Sequence, residues 1–264
     1  MTAASRGLPG RRVTAHLVTA GAPAVLGARV LFGQDPAEVV RGLGGLAPDA
    51  PLRALDVLTE LASAPDGGPL HIDRVVFAEA GAEVFWPSAG GTGLRPSPAE
   101  LAEEEAPPGN GLTPLRRFAS YGIVTDPGGN VLLSLIAEGF PGAGTWHLPG
   151  GGVDAGEDVR SALRREVTEE TGQDGLVGEL VTVSSHRREG SGGHDIYAVW
   201  AFFRVLVSDP CPARVLEEDG STADARWFAP GEVAGLRLST TARRGLAYLG
   251  RGRHRAPEAA EDEG

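Results

Sequence analysis

The 264-residue sequence has no lysine, a single cysteine and no apolar run near the roughly 20 residues needed to span a bilayer. Each absence removes a class of chemistry. With Cys211 alone, no disulfide and no cysteine-based zinc ribbon can form within one chain. Cys211 sits between Pro210 and Pro212 with no nucleophile signature around it, and reads as a turn residue. All 24 basic residues are arginine, so no lysine Schiff base and no P-loop lysine is available. A net charge of −11 opposes non-specific nucleic-acid binding, which needs a basic surface. Met1 to Arg12 is basic, but no signal-length apolar stretch follows before the Gly and Pro residues near 21 to 27, so a cytoplasmic location is expected. What is present, 41% hydrophobic and 22% charged residues, is the composition of an ordinary globular chain long enough for two domains.

A break in composition divides it. Residues 98–113 combine an acidic run with Pro-Pro and Gly-Asn-Gly, which suits an exposed linker. Residues 1–97 read as a small α/β domain, with β-like runs at Arg12–Thr19, Ala28–Phe32, His71–Glu79 and Glu83–Trp86 and helical patterns at Pro36–Leu43 and Pro51–Ser63. That segment shows no chemical constellation, and is a candidate for self-association into a homodimer. After the linker, Phe118–Thr125 and Val131–Ile136 form a hairpin around Asp126–Asn130, followed by a long loop, Ala137–Gly152. A helix over Asp158–Thr171 is closed by Gly172 as its C-cap; Leu176–Ser185, Tyr197–Val207 and Ala225–Phe228 read as strands, and Thr240–Leu249 as a last helix. The charged tail, 251–264, reads as disordered.

The helix from Asp158 carries the chemistry. At 100° per residue, Val159, Leu163 and Val167 make an inward stripe; Glu166 and Glu170 fall inside it and Glu169 at its edge. Carboxylates three and four residues apart repel by about 3 kcal/mol per pair at an effective dielectric near 20. Two resolutions exist: protonation, or a hard divalent cation among the oxygens. A third reading is a solvated acidic face in which Arg165 pairs with Glu169 at i,i+4.

The residues before the helix bear on that choice. Leu148-Pro-Gly-Gly-Gly152 is a turn of little side-chain bulk, where backbone can approach a ligand closely. Residues 151–172, GGVDAGEDVRSALRREVTEETG, resemble the box of the Nudix hydrolase family, with matches at Gly151, Glu157, Arg165, Glu166, Val167, Glu169, Glu170 and Gly172. Chance would give such a match on the order of once in a billion starts at average residue frequencies. Gln173 departs from the family's usual aliphatic residue, which puts packing behind the helix in question. The resemblance covers about residues 114–250, including the lead-in Gly144–Gly151 and the segment Gly220–Trp227, and leaves 1–97 out.

The resemblance implies an α/β/α sandwich with a mixed sheet, a nucleotide-type small-molecule substrate, and Mg²⁺, or Mn²⁺, as cofactor. It assigns Glu166 and Glu170 as principal metal ligands, with Glu169 direct or through water and the Gly151 carbonyl. Arg165 would orient a glutamate, and Glu157 would support the helix entrance. The implied reaction converts a nucleoside diphosphate linked to X into NMP and X-phosphate. Glu166, Glu217 and Glu218 are candidates for general base. His186 and His194, flanking the Gly-rich loop 187–193, read as polar loop residues, and Trp146 as either core or a base-stacking ring. The single cysteine disfavours the family's zinc-containing NAD pyrophosphatases. ADP-ribose enzymes commonly carry a proline about fifteen residues past the box, which Thr171–Asp209 lacks, and the CoA-type signature is absent. Nucleoside triphosphates, including oxidised ones, remain favoured, with sugar nucleotides and dinucleoside polyphosphates open. A catalytically silent nucleotide sensor on the same fold is the competing class; it would show replaced box glutamates or an attached winged helix, and neither is evident.

Overall fold

The computed structural model describes residues 10–20, 25–86, 94–106, 108–218 and 220–249; the tail expected to be disordered lies outside them. Two sheets organise the chain. The first has the order β2-β1-β4-β3, built from β1 (Gly10–Val18), β2 (Val25–Val30), β3 (Leu52–Ser63) and β4 (Pro69–Glu79), with β1 and β4 parallel. Helix α1 (Pro36–Gly44) packs across it, capped by Asp35, whose side chain accepts from the Ala37 and Glu38 amides. The expected helix over Pro51–Ser63 is a strand instead. Its Leu, Ala and Glu residues favour helix locally, but β4 is buried along nearly its whole length and needs a partner on both edges, so sheet pairing overrides propensity. The β run expected at Glu83–Trp86 is a 3₁₀ turn over Glu83–Phe85, too short and without a neighbouring strand.

The linker reading is also corrected. Ser97 caps a short helix, α2 (Pro98–Leu101), whose Leu101 is buried with Leu70 and Ile72. The acidic run then pairs with arginines: Glu104 with Arg12, and Glu105 with Arg29 and Arg116. The segment straps the first sheet to the second.

The second sheet is mixed, with the order β11-β6-β5-β10-β9. Its members are β5 (Thr113–Thr125), β6 (Val131–Ile136), β9 (Leu176–Ser191), β10 (His194–Leu206) and β11 (Thr222–Phe228); β5 and β10 are parallel and the other pairs antiparallel. Strands β5 and β6 pair only at Val124–Thr125 before they diverge, and the gap takes two short strands from the expected loop: β7 (Trp146–His147) on β6 and β8 (Gly150–Gly152) on β5. The Gly-rich stretch near 187–193 is the end of a long β9–β10 hairpin. Helix α3 (Val159–Thr171) buries Val159, Leu163 and Val167 against Val124, Val199, Phe203 and Val205. On the other face, after α4 (Pro230–Val233), helix α5 (Thr240–Leu246) packs Ala242 and Leu246 with Phe202 and Leu148. This is an α/β/α arrangement. Among the described residues, no helix is long and apolar enough to cross a membrane.

Candidate active site

Helix α3 begins where the Asp158 side chain accepts from the Arg160 and Ser161 amides, and ends on Gly172 in the left-handed region. Between these caps the helical period turns three glutamates toward the β8 turn to different degrees. The Glu170 residue is 4% exposed, while the Glu166 and Glu169 side chains are 16% and 40% exposed. The inward carboxylates expected from the helical stripe are therefore present, and Glu169 lies at the margin.

Glu170 is held by three neutral donors. Its Oε2 accepts from the Gly150 amide at 3.0 Å and from Ser134 Oγ at 3.2 Å, and its Oε1 from Thr222 Oγ1 at 2.8 Å. Burial nevertheless raises its pKa to about 7, with Glu166 adding to the rise and the three hydrogen bonds opposing it. Glu166 is also raised, first by burial and then by Glu169 and Glu217, against the pull of Arg165. The turn makes this proximity achievable. Gly150 has φ +135°, and a Cβ there would collide with the Ser120 carbonyl; at Gly151 a Cβ would stand 2.8 Å from Glu166 Oε1.

Arg165 draws the remaining carboxylates together. Its Nε and Nη2 donate to the two oxygens of Glu157 at 3.0 Å each, and its Nη1 donates to Glu166 at 3.0 Å and Glu169 at 2.9 Å. The bidentate pair lowers the Glu157 pKa and raises that of Arg165. The i,i+4 pairing of Arg165 with Glu169 thus coexists with the buried cluster. Glu157 also accepts from the Asp154 amide at 3.3 Å.

Of these groups, Gly150, Gly151 and Glu170 line a cavity of about 420 Å³, together with Tyr121, Trp200 and Thr222. Tyr121, Trp200, Ser134 and Thr222 escape sequence reasoning except through strand alternation and, for Thr222, the Gly220–Trp227 segment. Tyr121 faces His147 edge-on at 5.0 Å, and its hydroxyl pKa is raised by burial and by Glu170 and Glu166. His147 itself is drawn down to about 4 by burial, so it is neutral at physiological pH. His186 stacks on Trp200 at 5.0 Å and lines the cavity, whereas His194 is exposed at the hairpin end. Trp146 packs edge-on against Phe228 at 4.7 Å, which makes it core. Of the candidate bases, Glu217 is exposed and near enough to raise Glu166, and its amide donates to the Glu169 carbonyl at 3.0 Å.

Gln173, the departure from the box pattern, is buried and satisfied. Its Nε2 donates to the Thr171 and Cys211 carbonyls and its Oε1 accepts from the Cys211 amide at 3.0 Å.

The donor set suits a hard divalent ion: carboxylate and carbonyl oxygens, with Glu170 buried and raised partly by the half-buried Glu166. Among the described residues, no three His, Cys, Asp or Glu side chains stand ready around one point. Mg²⁺ does not require three, since it commonly takes one or two carboxylates and fills its remaining positions with water and substrate phosphate.

The chain is similar to several known proteins. A nucleoside triphosphatase, NudI, of Escherichia coli O139:H28 is 29% identical over 122 residues, 42% of this chain and 79% of that protein. The NudI of Salmonella schwarzengrund is 30% identical over the same spans. Among solved structures, the NUDIX domain of Shewanella oneidensis NrtR, crystallised with ADP ribose, aligns at 19% identity and TM-score 0.43, covering 52% of this chain and 88% of that one. A MutT protein of Methanosarcina mazei Go1 aligns at 20% identity and TM-score 0.43, over 55% and 99% of the two chains. The NUDIX domain model matches residues 115–249, a little over half of the sequence, and the chain belongs to the Nudix family.

Proposed function

We propose that this Nudix pyrophosphohydrolase cleaves the phosphoanhydride of a nucleoside diphosphate linked to X, releasing NMP and X-phosphate, with Mg²⁺ or Mn²⁺ as cofactor and nucleoside triphosphates as the favoured class. The supporting observation is the unbalanced charge around α3: Glu157, Glu166 and Glu169 converge on a single guanidinium, Arg165, while Glu170 is buried on neutral donors in the wall of an open cavity. An acidic protein needs a cation between itself and a polyphosphate. The NudI relatives, named as nucleoside triphosphatases, support the substrate preference.

Glu166, Glu170 and the Gly151 carbonyl would hold the ion, with Glu169 joining directly or through water. When bound, it supplies charge neutralisation for the phosphates and a more acidic water. The protein's own residues do the rest. Arg165, fixed by Glu157, keeps Glu166 aimed at the β8 turn. Glu166 takes the proton of the attacking water, its basicity raised by burial; Glu217, exposed beside it, is the alternative acceptor. Gly150 and Thr222 hold Glu170 in a fixed rotamer. Nucleotide substrates belong to the cytoplasm, where we place the enzyme.

A phosphate-release screen with Mg²⁺ over nucleoside triphosphates, sugar nucleotides and dinucleoside polyphosphates tests this beside Glu170→Gln. Turnover of one class by the wild-type chain and its loss in the variant are expected; equal turnover in both would remove the mechanism, and no turnover in either would leave the silent sensor.

A further inference from the structure

A second cavity, of about 540 Å³, opens between the N-terminal sheet and the Nudix sheet, and nothing above gives it a role. Its walls come from both halves of the chain: Arg11 and His71 from β1 and β4, Arg116 and Arg117 from β5, and Asp154 from the box loop. In a protein of net charge −11, three guanidiniums gathered around one cavity stand out, two of them paired with carboxylates behind the wall. Asp154 is the single carboxylate of the lining, and its side chain is 83% exposed.

The three arginines are not equivalent. Arg11 is fixed by Asp73, 3.5 Å from its Nε, and donates to the Asp154 carbonyl at 3.1 Å. Arg116 donates to Glu105 at 2.7 Å and to the Val30 carbonyl at 3.0 Å. Arg117 is exposed and has neither hydrogen bond nor ion pair among the described residues. An uncommitted guanidinium with two fixed ones is suited to the planar, multidentate recognition of phosphate oxygens.

The cavity adjoins the one at Glu170. Arg117, Tyr121, Ala198 and Trp200 line both, and in the parallel β5–β10 register Arg117 stands opposite Ala198, with Tyr121 two positions further along the same face. Either space alone is within the roughly 300–1,000 Å³ that accepts a small-molecule ligand. A substrate with its anhydride at Glu170 therefore has room to extend along β5 past Arg117 toward the N-terminal sheet.

We propose that this second cavity is the subsite for X, and that X is phosphate-bearing rather than an uncharged sugar. The inference rests on the hydrolase reading above and gives the N-terminal domain a function: its Arg11 and His71 close the wall of the X subsite. Nucleoside triphosphates, where X is itself a phosphate, and dinucleoside polyphosphates satisfy it.

Two measurements on the full chain test it. With divalent metal removed by EDTA, inorganic pyrophosphate titrated calorimetrically should bind the wild-type protein and bind Arg117→Ala at least about tenfold more weakly. Arg243→Ala, which removes a guanidinium bonded to Leu238 at the start of α5, should bind as wild type. Arg117 lies on the surface, and an unchanged melting temperature would verify that its replacement leaves the fold intact. In the second measurement, pyrophosphate and NMP inhibit hydrolysis of the best substrate with Mg²⁺ present. The proposal expects inhibition by pyrophosphate to weaken at least about tenfold in Arg117→Ala and inhibition by NMP to stay constant. Equal pyrophosphate affinity in wild type and Arg117→Ala overturns it, as does weakened inhibition by NMP instead, which would assign the cavity to the nucleotide half. Absence of turnover with pyrophosphate binding retained would instead strike the hydrolase reading alone.

Discussion

Two polar clusters, one on the N-terminal sheet and one on α3 with the loop before it, meet at the box loop and differ in how their charges balance. In the N-terminal sheet, buried Asp73 faces Arg11 and accepts from His71 at 3.1 Å and Thr59 at 3.4 Å. His71 Nδ1 in turn accepts from the Gly156 amide at 3.0 Å, which assigns its proton to Nε2, and Thr59 Oγ1 accepts from the Val159 amide at 3.3 Å. One carboxylate thus meets one guanidinium. Around α3, Glu157, Glu166 and Glu169 share the one guanidinium of Arg165, and buried Glu170 has none. The balanced network holds structure, here the loop leading to α3 and the Arg11 and His71 wall of the second cavity; a surplus of buried negative charge is tolerable only where protons or a cation complete it.

The strongest way to break this contrast is to neutralise a member of the unbalanced cluster. Glu166→Gln should lower kcat/KM by about 10²–10⁴-fold while the chain stays folded, as steady-state kinetics beside a thermal melt would register. Asp73→Ala should act in the opposite sense, on stability. Removing one partner of a buried ion pair costs about 3–5 kcal/mol, to be read from the shift in urea midpoint. Activity lost with no change in stability in that variant would mean that the two clusters do the same work.

The pH dependence of metal-free stability sharpens the comparison further. The native pKa of Glu170, about 7, lies above its ordinary value of 4.5, so the folded state holds this proton more tightly than the unfolded one. Its contribution is fully present below about pH 4.5 and is lost as pH rises through 7. Melting temperatures in EDTA should therefore decline over that interval, and Glu170→Gln should flatten the decline; an unaltered slope in the variant would refute the assignment. The smallest effect is expected at Thr59→Val, which removes the hydrogen bond to α3 and the one to Asp73 and should cost about 1–3 kcal/mol in all with kcat within a factor of a few.

The helical half of the site was legible because periodicity is a property of one segment. The C-cap at Gly172, and the inward faces of Glu166 and Glu170, follow from spacing alone. Partners contributed by other strands were not: Ser134, Tyr121 and Thr222 reach Glu170 or its cavity through pairings that local sequence does not encode. The same limit explains Leu52–Ser63, where helix-forming residues are recruited as an edge strand by β4, and residues 98–106, whose glutamates look like a solvated run until the arginines of β1, β2 and β5 are folded beside them. Trp146 and Trp200 illustrate it in miniature. The ring nearest the box motif packs into the core, and the one on a distant strand faces the cavity.

Gln173 has a consequence for exchange of parts between related chains. By mimicking a strand neighbour, its amide receives and supplies the hydrogen bonds of Cys211, and the chain after Cys211 then donates from Arg214, Leu216 and Glu217 to the last carbonyls of α3. The segment is thereby sewn to the helix end along its length, so substrate-driven movement cannot pivot there. A homologue with an aliphatic side chain at that position lacks the stitch. Grafting residues 211–217 into such a scaffold should leave the loop adrift unless a glutamine travels with it.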